Sequence, residues 1–267
     1  MIQAPFSDLA IYIESKKYIG TTVDFNALKK LGCFVLKNAI PENVIGEYYA
    51  NYKKLLSSGL IKKDDYHLTL VELGAADELQ KIVFNKDFFE VASKFFEGRV
   101  GSDFVRIVKK DSTNFSKVFL HQDTGYQIGG FEKYSLFIAL TECNEDNGGL
   151  TLLPGTHHFG YLGDAGEINE KILPKNYPRI TPNAEPGDIL IMHSSTWHES
   201  PQSKNLKDRV YLEVHIQPLD EPTTRWEICG KRTSNWVLHA NEDQIFKDSR
   251  TQRIRRMAAE LKKTNLQ

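Results

Sequence analysis

Two separate segments of the sequence carry residue types that can bind a transition metal. The first, His121-Gln122-Asp123, directly follows Val118–Leu120, an apolar run typical of a strand. If the strand continues through Asp123, alternate side chains share a face, so the imidazole of His121 and the carboxylate of Asp123 can bind one metal ion. Alone, an HxD triplet is a weak signal, because an Asp that ends a strand is often only a turn former.

The second segment can supply a third ligand from a distant part of the chain. Pro186-Gly187 predicts a turn, Asp188–His193 predicts a buried strand, and the polar stretch that follows includes His198. Two histidines and one carboxylate occupy one face of an octahedron and leave three positions open. Oxygen chemistry at Fe(II) requires such open positions. His193 is the competing histidine in this segment.

A third segment, Arg209–Gln217, has the alternation of a strand with one apolar face. That face carries Val210, Leu212, Val214 and Ile216, which leaves Arg209 pointing toward the interior of a barrel. A buried arginine needs an anion, and its guanidinium group matches a carboxylate through two parallel hydrogen bonds. Arg209 is therefore a candidate anchor for the distal carboxylate of a 2-oxo acid, with Ser200 assisting. For Arg209 alone, an ordinary salt bridge with Asp208 or Glu213 is the alternative.

Short strands dominate the middle of the chain and would position these residues. From about Gly101, runs of β-branched and aromatic residues are separated by Gly, Pro, Asn and Asp. The predicted strands are Phe104–Val108, Val118–His121, Tyr134–Leu140, Leu150–Leu153, Asp188–His193 and Arg209–Gln217. Because helices do not separate them, they indicate an antiparallel sandwich or barrel. We predict a mainly β fold with flanking helices, built as a jelly-roll barrel.

The rest of the chain is expected to complete a single domain. Its parts are a mostly helical scaffold at 1–100, the jelly-roll core at 101–218 with a candidate lid at 159–186, and an extension at 219–267 that ends in a basic helix. Within the scaffold, Cys33–Leu36 predicts a strand. Apolar spacing there predicts helices at Asn43–Leu56 and Asp87–Phe96.

Composition restricts the location and the partners. The chain has 34 basic and 35 acidic residues, so no overall field favours nucleic acid or a membrane surface. Its 3 cysteines form no CxxC pair, which fits reduced thiols. The N-terminus lacks a signal-peptide pattern, and no apolar run reaches the roughly 18 residues of a membrane span. We expect a soluble cytoplasmic protein that acts on a small molecule, without nucleic-acid or membrane partners.

Several of these motifs occur together in one known family. They are His121-x-Asp123, Gly148–His157, Pro186-Gly187-Asp188, and His198 with Arg209 at the family's spacing. With them the chain resembles the phytanoyl-CoA dioxygenase family of iron and 2-oxoglutarate oxygenases. The resemblance covers roughly Phe104 to Pro218, with a weaker match at Gly32–Glu47. The spacing to Arg209 favours His198 over His193 as the ligand.

The resemblance implies a double-stranded β-helix of the cupin-like jelly-roll type. It also implies Fe(II) on His121, Asp123 and His198, and 2-oxoglutarate chelating that metal while paired to Arg209. Relatives that halogenate substrates have a small residue in place of the carboxylate, so Asp123 favours hydroxylation with O2 and release of succinate and CO2. Two other functions stay open: a cupin-type hydrolase or isomerase with another metal, and a non-catalytic barrel that binds a small ligand.

Candidates for contact with substrate surround these motifs. Tyr126 and Gln127 follow the metal pair, Trp197 precedes the third ligand, and Arg106 can face inward from its strand. His157 lies in a Pro-Gly-Thr-His turn where relatives also carry a histidine. Core packing is the alternative for the aromatic residues, and a structural role in the turn is the alternative for His157.

Overall fold

The protein is represented by a computed structural model that describes residues 6–58, 61–63, 69–71, 81–103, 105–125, 132–162, 166–221, 223–224 and 226–228. The helices within these residues are α1 (Phe6–Glu14), α2 (Phe25–Leu31), α3 (Glu42–Ser57) and α4 (Lys86–Ala92). The strands are β1 (Ile19–Gly20), β2 (Cys33–Leu36), β3 (Ile61–Lys63), β4 (Thr69–Val71), β5 (Val100–Ser102), β6 (Val105–Lys110), β7 (Val118–His121), β8 (Tyr134–Ala139), β9 (Thr151–Leu152), β10 (Ile189–His193), β11 (His198–Ser200), β12 (Arg209–Pro218) and β13 (Trp226–Glu227).

These strands form a large sheet and a small sheet. The large sheet runs in the order β1-β2-β10-β8-β12-β6-β4-β3, and β5 pairs with both β12 and β13. The small sheet has the order β7-β11-β9. Apart from the parallel β1–β2 pair, the pairs are antiparallel. Most of them join strands that are distant in sequence, and β3 and β4 are the consecutive strands that pair with each other. This arrangement is a cupin-like jelly roll, which confirms the predicted fold class.

Strand β12 shows how the large sheet is buried on both faces. Its apolar residues Val210, Leu212, Val214 and Ile216 pack in a core cluster with residues of α2, α3 and α4. The alternate residue Tyr211 belongs to a second cluster inside the barrel, with Val108 and Phe137. Burying each such side chain stabilises the fold by about 1.5–3 kcal/mol. The helices therefore cover the outer face, and the inner face is left to form a site.

The end of α2 fixes the loop that leads to His198. Asp24 caps the start of the helix by accepting hydrogen bonds from the amides of Asn26 and Ala27. Gly32 ends it in the left-handed region at φ 75°. A Cβ atom at Gly32 would lie 2.4 Å from Thr196 Oγ1, while the Gly32 carbonyl accepts hydrogen bonds from the amide of His193 and from Thr196 Oγ1. Glycine is required here because the two segments approach so closely.

Element boundaries differ from prediction in a few places. The helix expected over Asp87–Phe96 ends at Ala92. Farther along, Phe96 and Glu97 adopt positive φ angles of 48° and 57°, which a continued helix does not allow, and the chain enters β5 at Val100. The N-terminal hundred residues also contribute four strands to the large sheet. The stretch 159–186 packs against the small sheet through Ile168 and Tyr177.

Three further expectations concern the chain as a whole. Cys33 and Cys143 are free and buried, and Cys229 lies outside the described residues. The basic helix expected near the end of the chain also lies outside them. Among the residues that the structure describes, no helix has the length and apolar character to cross a membrane.

Candidate active site

His121, Asp123 and His198 meet at the small sheet. His121 ends β7 and faces His198 at the start of β11 as its cross-strand partner, with ring centroids 4.2 Å apart. The strand does not continue through Asp123, which instead begins a 3₁₀ turn over Asp123–Gly125. Asp123 Oδ1 lies 3.7 Å from His121 Nε2 and 3.6 Å from His198 Nε2. Three donor atoms within 4.8 Å of one another can surround a single metal ion.

The hydrogen bonds of the two imidazoles fix which nitrogen faces the centre of this group. His121 Nδ1 lies 2.8 Å from the carbonyl oxygen of Phe119, and His198 Nδ1 lies 3.0 Å from that of Thr196. A carbonyl oxygen only accepts, so each Nδ1 carries the hydrogen and donates it. Each Nε2 therefore presents its lone pair toward Asp123, which is the tautomer that binds a metal.

Electrostatics hold Asp123 and His121 in metal-binding protonation states. Burial by itself raises the pKa of the Asp123 carboxyl, but His198, His121 and Arg106 together lower that pKa to about 2. Burial, and next the neighbouring His198, lower the pKa of His121 to about 4. At neutral pH the carboxylate is ionised and the His121 imidazole is neutral. The donor set thus fits a divalent ion such as Fe(II) with open positions.

Ser135 orients the carboxylate from β8. Its hydroxyl donates to Asp123 Oδ2 at 3.1 Å, while the Asp123 amide donates to the Ser194 carbonyl at 2.9 Å. We expect Ser135→Ala to weaken Fe(II) affinity about 10-fold, because hydrogen bonds to metal ligands fix their orientation. Anaerobic titration with Fe(II) measures this. The control is Ser194→Ala, whose buried hydroxyl has no hydrogen-bond partner among the described residues. Equal affinities in both variants would rule out this role for Ser135.

Arg209 is the first residue of β12 and is buried without a carboxylate partner among the described residues. Its guanidinium donates to the Val108 carbonyl at 3.3 Å and to Ser200 Oγ at 3.2 Å. The Ser200 hydroxyl in turn donates to the Gly148 carbonyl at 2.8 Å. The two salt bridges considered from sequence are not made, because Asp208 pairs with Lys53 and Glu213 pairs with Arg106. A buried guanidinium whose hydrogen-bond acceptors are neutral is prepared to bind an anion.

The substrate candidates lie in different places. Tyr126 and Gln127 lie outside the described residues. Trp197 is buried and packs against Phe159, with ring centroids 5.3 Å apart. His157 lies 2.9 Å from the Lys29 carbonyl through Nε2 and packs against neighbouring histidine rings. These contacts match the packing and structural alternatives for Trp197 and His157.

The competing histidine and the remaining candidate also have defined positions. His193 accepts a hydrogen bond from the Ser195 amide at Nδ1 and packs against Tyr134; it is not part of the His121, Asp123 and His198 group. Arg106 forms an ion pair with Glu213 and contributes to the lowered pKa of Asp123. Of the described substrate candidates, Arg106 is the one whose charge acts on the metal-binding group.

A charged network beside the metal-binding group was missed from sequence. Ligand atoms of Asp123, Glu213 and His215 lie within 4.8 Å of one another. The Glu213 carboxylate binds Arg106 through one oxygen and lies 2.9 Å from His215 Nε2 through the other. Burial acts to raise the pKa of Glu213, but Arg106 and His215 outweigh it and lower that pKa. The alternation that places Arg209 inside also places Glu213 and His215 inside, so the sequence did contain the signal.

The network continues away from the metal-binding group. Asp103 lies 3.9 Å from His215 Nδ1 and 3.3 Å from the Nζ atom of Lys133, a fully buried lysine. Lys133 also contacts the Thr223 hydroxyl. Acidic and basic side chains thus alternate along this part of the barrel interior.

Comparison with known proteins gives one family and one fold. The family model described as phytanoyl-CoA dioxygenase (PhyH) matches residues 31–211. Dioxygenase cdmD of Talaromyces verruculosus is 28% identical over 109 residues. That match covers 38% of this chain and 34% of the other protein, so it spans about a third of the relative's length.

Two solved structures illustrate the similarity of fold. The epimerase SnoN, solved with Fe3+, alpha ketoglutarate and nogalamycin RO, has a TM-score of 0.62 and 16% identity over 77% of this chain and 85% of its own. EctD from S. alaskensis, solved with 2-oxoglutarate and 5-hydroxyectoine, has a TM-score of 0.63 and 17% identity over 78% and 82%. At such low identity these matches show a common fold.

Proposed function

The chain belongs to the phytanoyl-CoA dioxygenase family, and from that membership we propose that it is an Fe(II)- and 2-oxoglutarate-dependent dioxygenase. We propose further that it hydroxylates a C–H bond of a small polar molecule. One observation carries the proposal. His121, Asp123 and His198 form a metal-binding group in a barrel that also buries Arg209 without a carboxylate partner in the described part of the chain.

In the proposed site His121, Asp123 and His198 hold the iron and leave positions open for 2-oxoglutarate and O2. A bound Fe(II) would supply the redox chemistry that converts 2-oxoglutarate and O2 to succinate and CO2. One oxygen atom of O2 would enter succinate, and the other would enter the substrate as a hydroxyl group. Asp123 stays ionised because the neighbouring basic side chains lower its pKa. Both histidines keep the hydrogen on Nδ1 because that atom donates to a backbone carbonyl.

Arg209 positions the co-substrate in this proposal. Its planar guanidinium group can bind the distal carboxylate with two parallel hydrogen bonds. One of its NH2 groups already donates a hydrogen bond to the Ser200 hydroxyl, which orients the guanidinium. Val108 and Tyr211 belong to the apolar cluster inside the barrel and exclude water from the space beside Arg209. In such surroundings a charge-assisted hydrogen bond is stronger than at the surface.

The charged network supports a polar substrate. Glu213 is fully buried and Arg106 is 13% exposed at its side chain, so the pair extends from the metal-binding group toward solvent. A purely apolar substrate would leave these groups desolvated without new partners, which is costly. A molecule that carries both a hydrogen-bond donor and an acidic group would match both signs of charge.

The direct test is a screen of small zwitterionic and hydroxylated metabolites for succinate release by the iron-loaded protein. We expect at least one such compound to raise succinate formation and to gain the mass of one oxygen atom. Iron-loaded protein that forms no succinate from 2-oxoglutarate under any condition would contradict the oxygenase proposal. Stimulation by apolar acyl compounds alone would contradict the polar substrate.

Glu213→Gln tests the contribution of the network to substrate recognition. The change keeps the shape but removes the charge, so we expect kcat/KM for the substrate found in the screen to fall about 10- to 150-fold, the value of a hydrogen bond to a charged group. Affinity for 2-oxoglutarate should stay unchanged. The matched control is Glu199→Gln, whose carboxylate pairs with Arg179 and Lys117 near the surface. Equal effects of the two changes would refute the role of Glu213.

A further inference from the structure

Lys110 is a second buried cation beside Arg209. Each residue is only 1% exposed. The Nζ atom of Lys110 donates to the carbonyl oxygen of Ser200 at 3.1 Å and also to that of Pro201. Arg209 donates to the Val108 carbonyl and the Ser200 hydroxyl. All of these acceptors are neutral, and no carboxylate pairs with either cation among the described residues.

The fold places the two cations on the same side of the large sheet. Lys110, the last residue of β6, is the direct cross-strand partner of Arg209, the first residue of β12. Directly paired residues in an antiparallel sheet point to the same face. Both side chains converge on Ser200. A Cβ atom at Gly148 would lie 2.8 Å from Lys110 Cδ, so this loop closes tightly over the lysine.

Nearby titratable groups do not neutralise this pair. Cys143, in the loop after β8, and Tyr211 of β12 both face Arg209. Burial raises the pKa of Cys143 to about 11 and the pKa of Tyr211 well above its usual value, so both are neutral at pH 7. The preceding residue of β6, Lys109, pairs with Asp111. Two basic side chains therefore lie in a poorly solvated region where none of the described residues supplies a matching negative charge.

Of these two basic side chains, Lys110 is the one that can lose its proton near neutral pH. Burial first, and the charge of Arg209 second, lower the pKa of Lys110 to about 7. An arginine side chain keeps its charge under the same conditions. An anion bound between the two side chains would favour the protonated amine, so the pKa of Lys110 would rise when the anion binds.

We propose that Lys110 is a proton-coupled second cation of the 2-oxoglutarate site, acting with Arg209 on the distal carboxylate. This inference rests on the proposed function, because it takes 2-oxoglutarate as the anion. The co-substrate brings a carboxylate to the two cations, and Lys110 gains a proton from solvent as the complex forms. Binding then depends on pH through a residue that does not touch the metal-binding group.

Anaerobic calorimetry on the Mn(II)-loaded protein tests the proposal without turnover. Titrating 2-oxoglutarate in two buffers of different ionisation enthalpy gives the number of protons taken up on binding. We expect roughly one proton per 2-oxoglutarate at pH 8 and close to none at pH 6. Affinity should fall about 10-fold per pH unit above pH 7 until the pKa of the complex is reached. Lys110→Met should remove both the proton uptake and the pH dependence.

Two more variants keep the test decisive. Lys110→Arg retains a cation that does not titrate, so it should bind 2-oxoglutarate tightly at pH 8 without proton uptake, even if the methionine variant folds poorly. Lys109→Met removes the adjacent buried lysine, which pairs with Asp111, and should retain the uptake. Proton uptake that persists in Lys110→Met and Lys110→Arg would overturn the role proposed for Lys110 but not the proposed function. Absence of proton uptake in the unaltered protein would do the same. Failure of the unaltered, metal-loaded protein to bind 2-oxoglutarate at any pH would overturn the proposed function as well.

Discussion

Asp123→Ala is expected to abolish succinate formation and to weaken Fe(II) binding by more than about 100-fold. Changes to residues that merely orient metal ligands cost about 10- to 100-fold, and a lost ligand costs more. The Nε2 atoms of His121 and His198 both face this carboxylate, at 3.7 and 3.6 Å from Asp123 Oδ1. Anaerobic Fe(II) titration measures the affinity, and chromatographic assay of succinate measures turnover.

The control for this variant is Asp208→Ala. Asp208 lies near Arg209 in sequence, but its carboxylate is 40% exposed and pairs with Lys53. We expect both iron affinity and turnover of this control to match those of the unaltered protein. Full turnover by Asp123→Ala would show that the carboxylate is not a ligand and would favour a different metal centre.

Arg209→Ala is expected to cost about 2–5 kcal/mol in 2-oxoglutarate binding, or roughly 30- to 5000-fold in Kd, because truncating one member of a buried, hydrogen-bonded charge pair has this effect. Iron affinity should stay the same, since the guanidinium contacts Val108 and Ser200 rather than the metal-binding group. Anaerobic titration of the metal-loaded variant with 2-oxoglutarate measures the loss.

Arg209→Lys separates charge from geometry at this position. A lysine keeps the positive charge but lacks the planar fork that binds a carboxylate at two points, so we expect an intermediate affinity. Unchanged affinity in Arg209→Ala would mean that the co-substrate is anchored elsewhere.

Local sequence patterns were sufficient for the elements that carry the metal-binding group. Val118–His121 was predicted with both boundaries correct, because apolar residues mark the strand and polar residues end it. The apolar alternation of β12 likewise separated its helix-facing residues from Arg209. These are properties of a few consecutive residues, which a sequence displays directly.

Features that depend on distant contacts were harder to predict. Asp123 reaches the histidines through a 3₁₀ turn held by the carbonyl of Ser194, a residue far away in sequence. Lys110 reads as an ordinary surface lysine until β6 is paired with β12 and the loop at Gly148 closes over it. Glu213 was on the predicted inner face, but its ion pair with Arg106 needed the strand register. Long-range pairing, rather than local propensity, decides such contacts.

The most direct test of the account is an anaerobic visible absorption spectrum of the Fe(II)-loaded protein as 2-oxoglutarate is added. Chelation of the iron by a 2-oxo acid at a two-histidine, one-carboxylate site gives a weak metal-to-ligand charge-transfer band. We predict that the band appears in the unaltered protein, is absent in Asp123→Ala, and needs a higher co-substrate concentration in Arg209→Ala. Protein that binds iron at the three residues but never develops the band would contradict the assignment as a 2-oxoglutarate oxygenase.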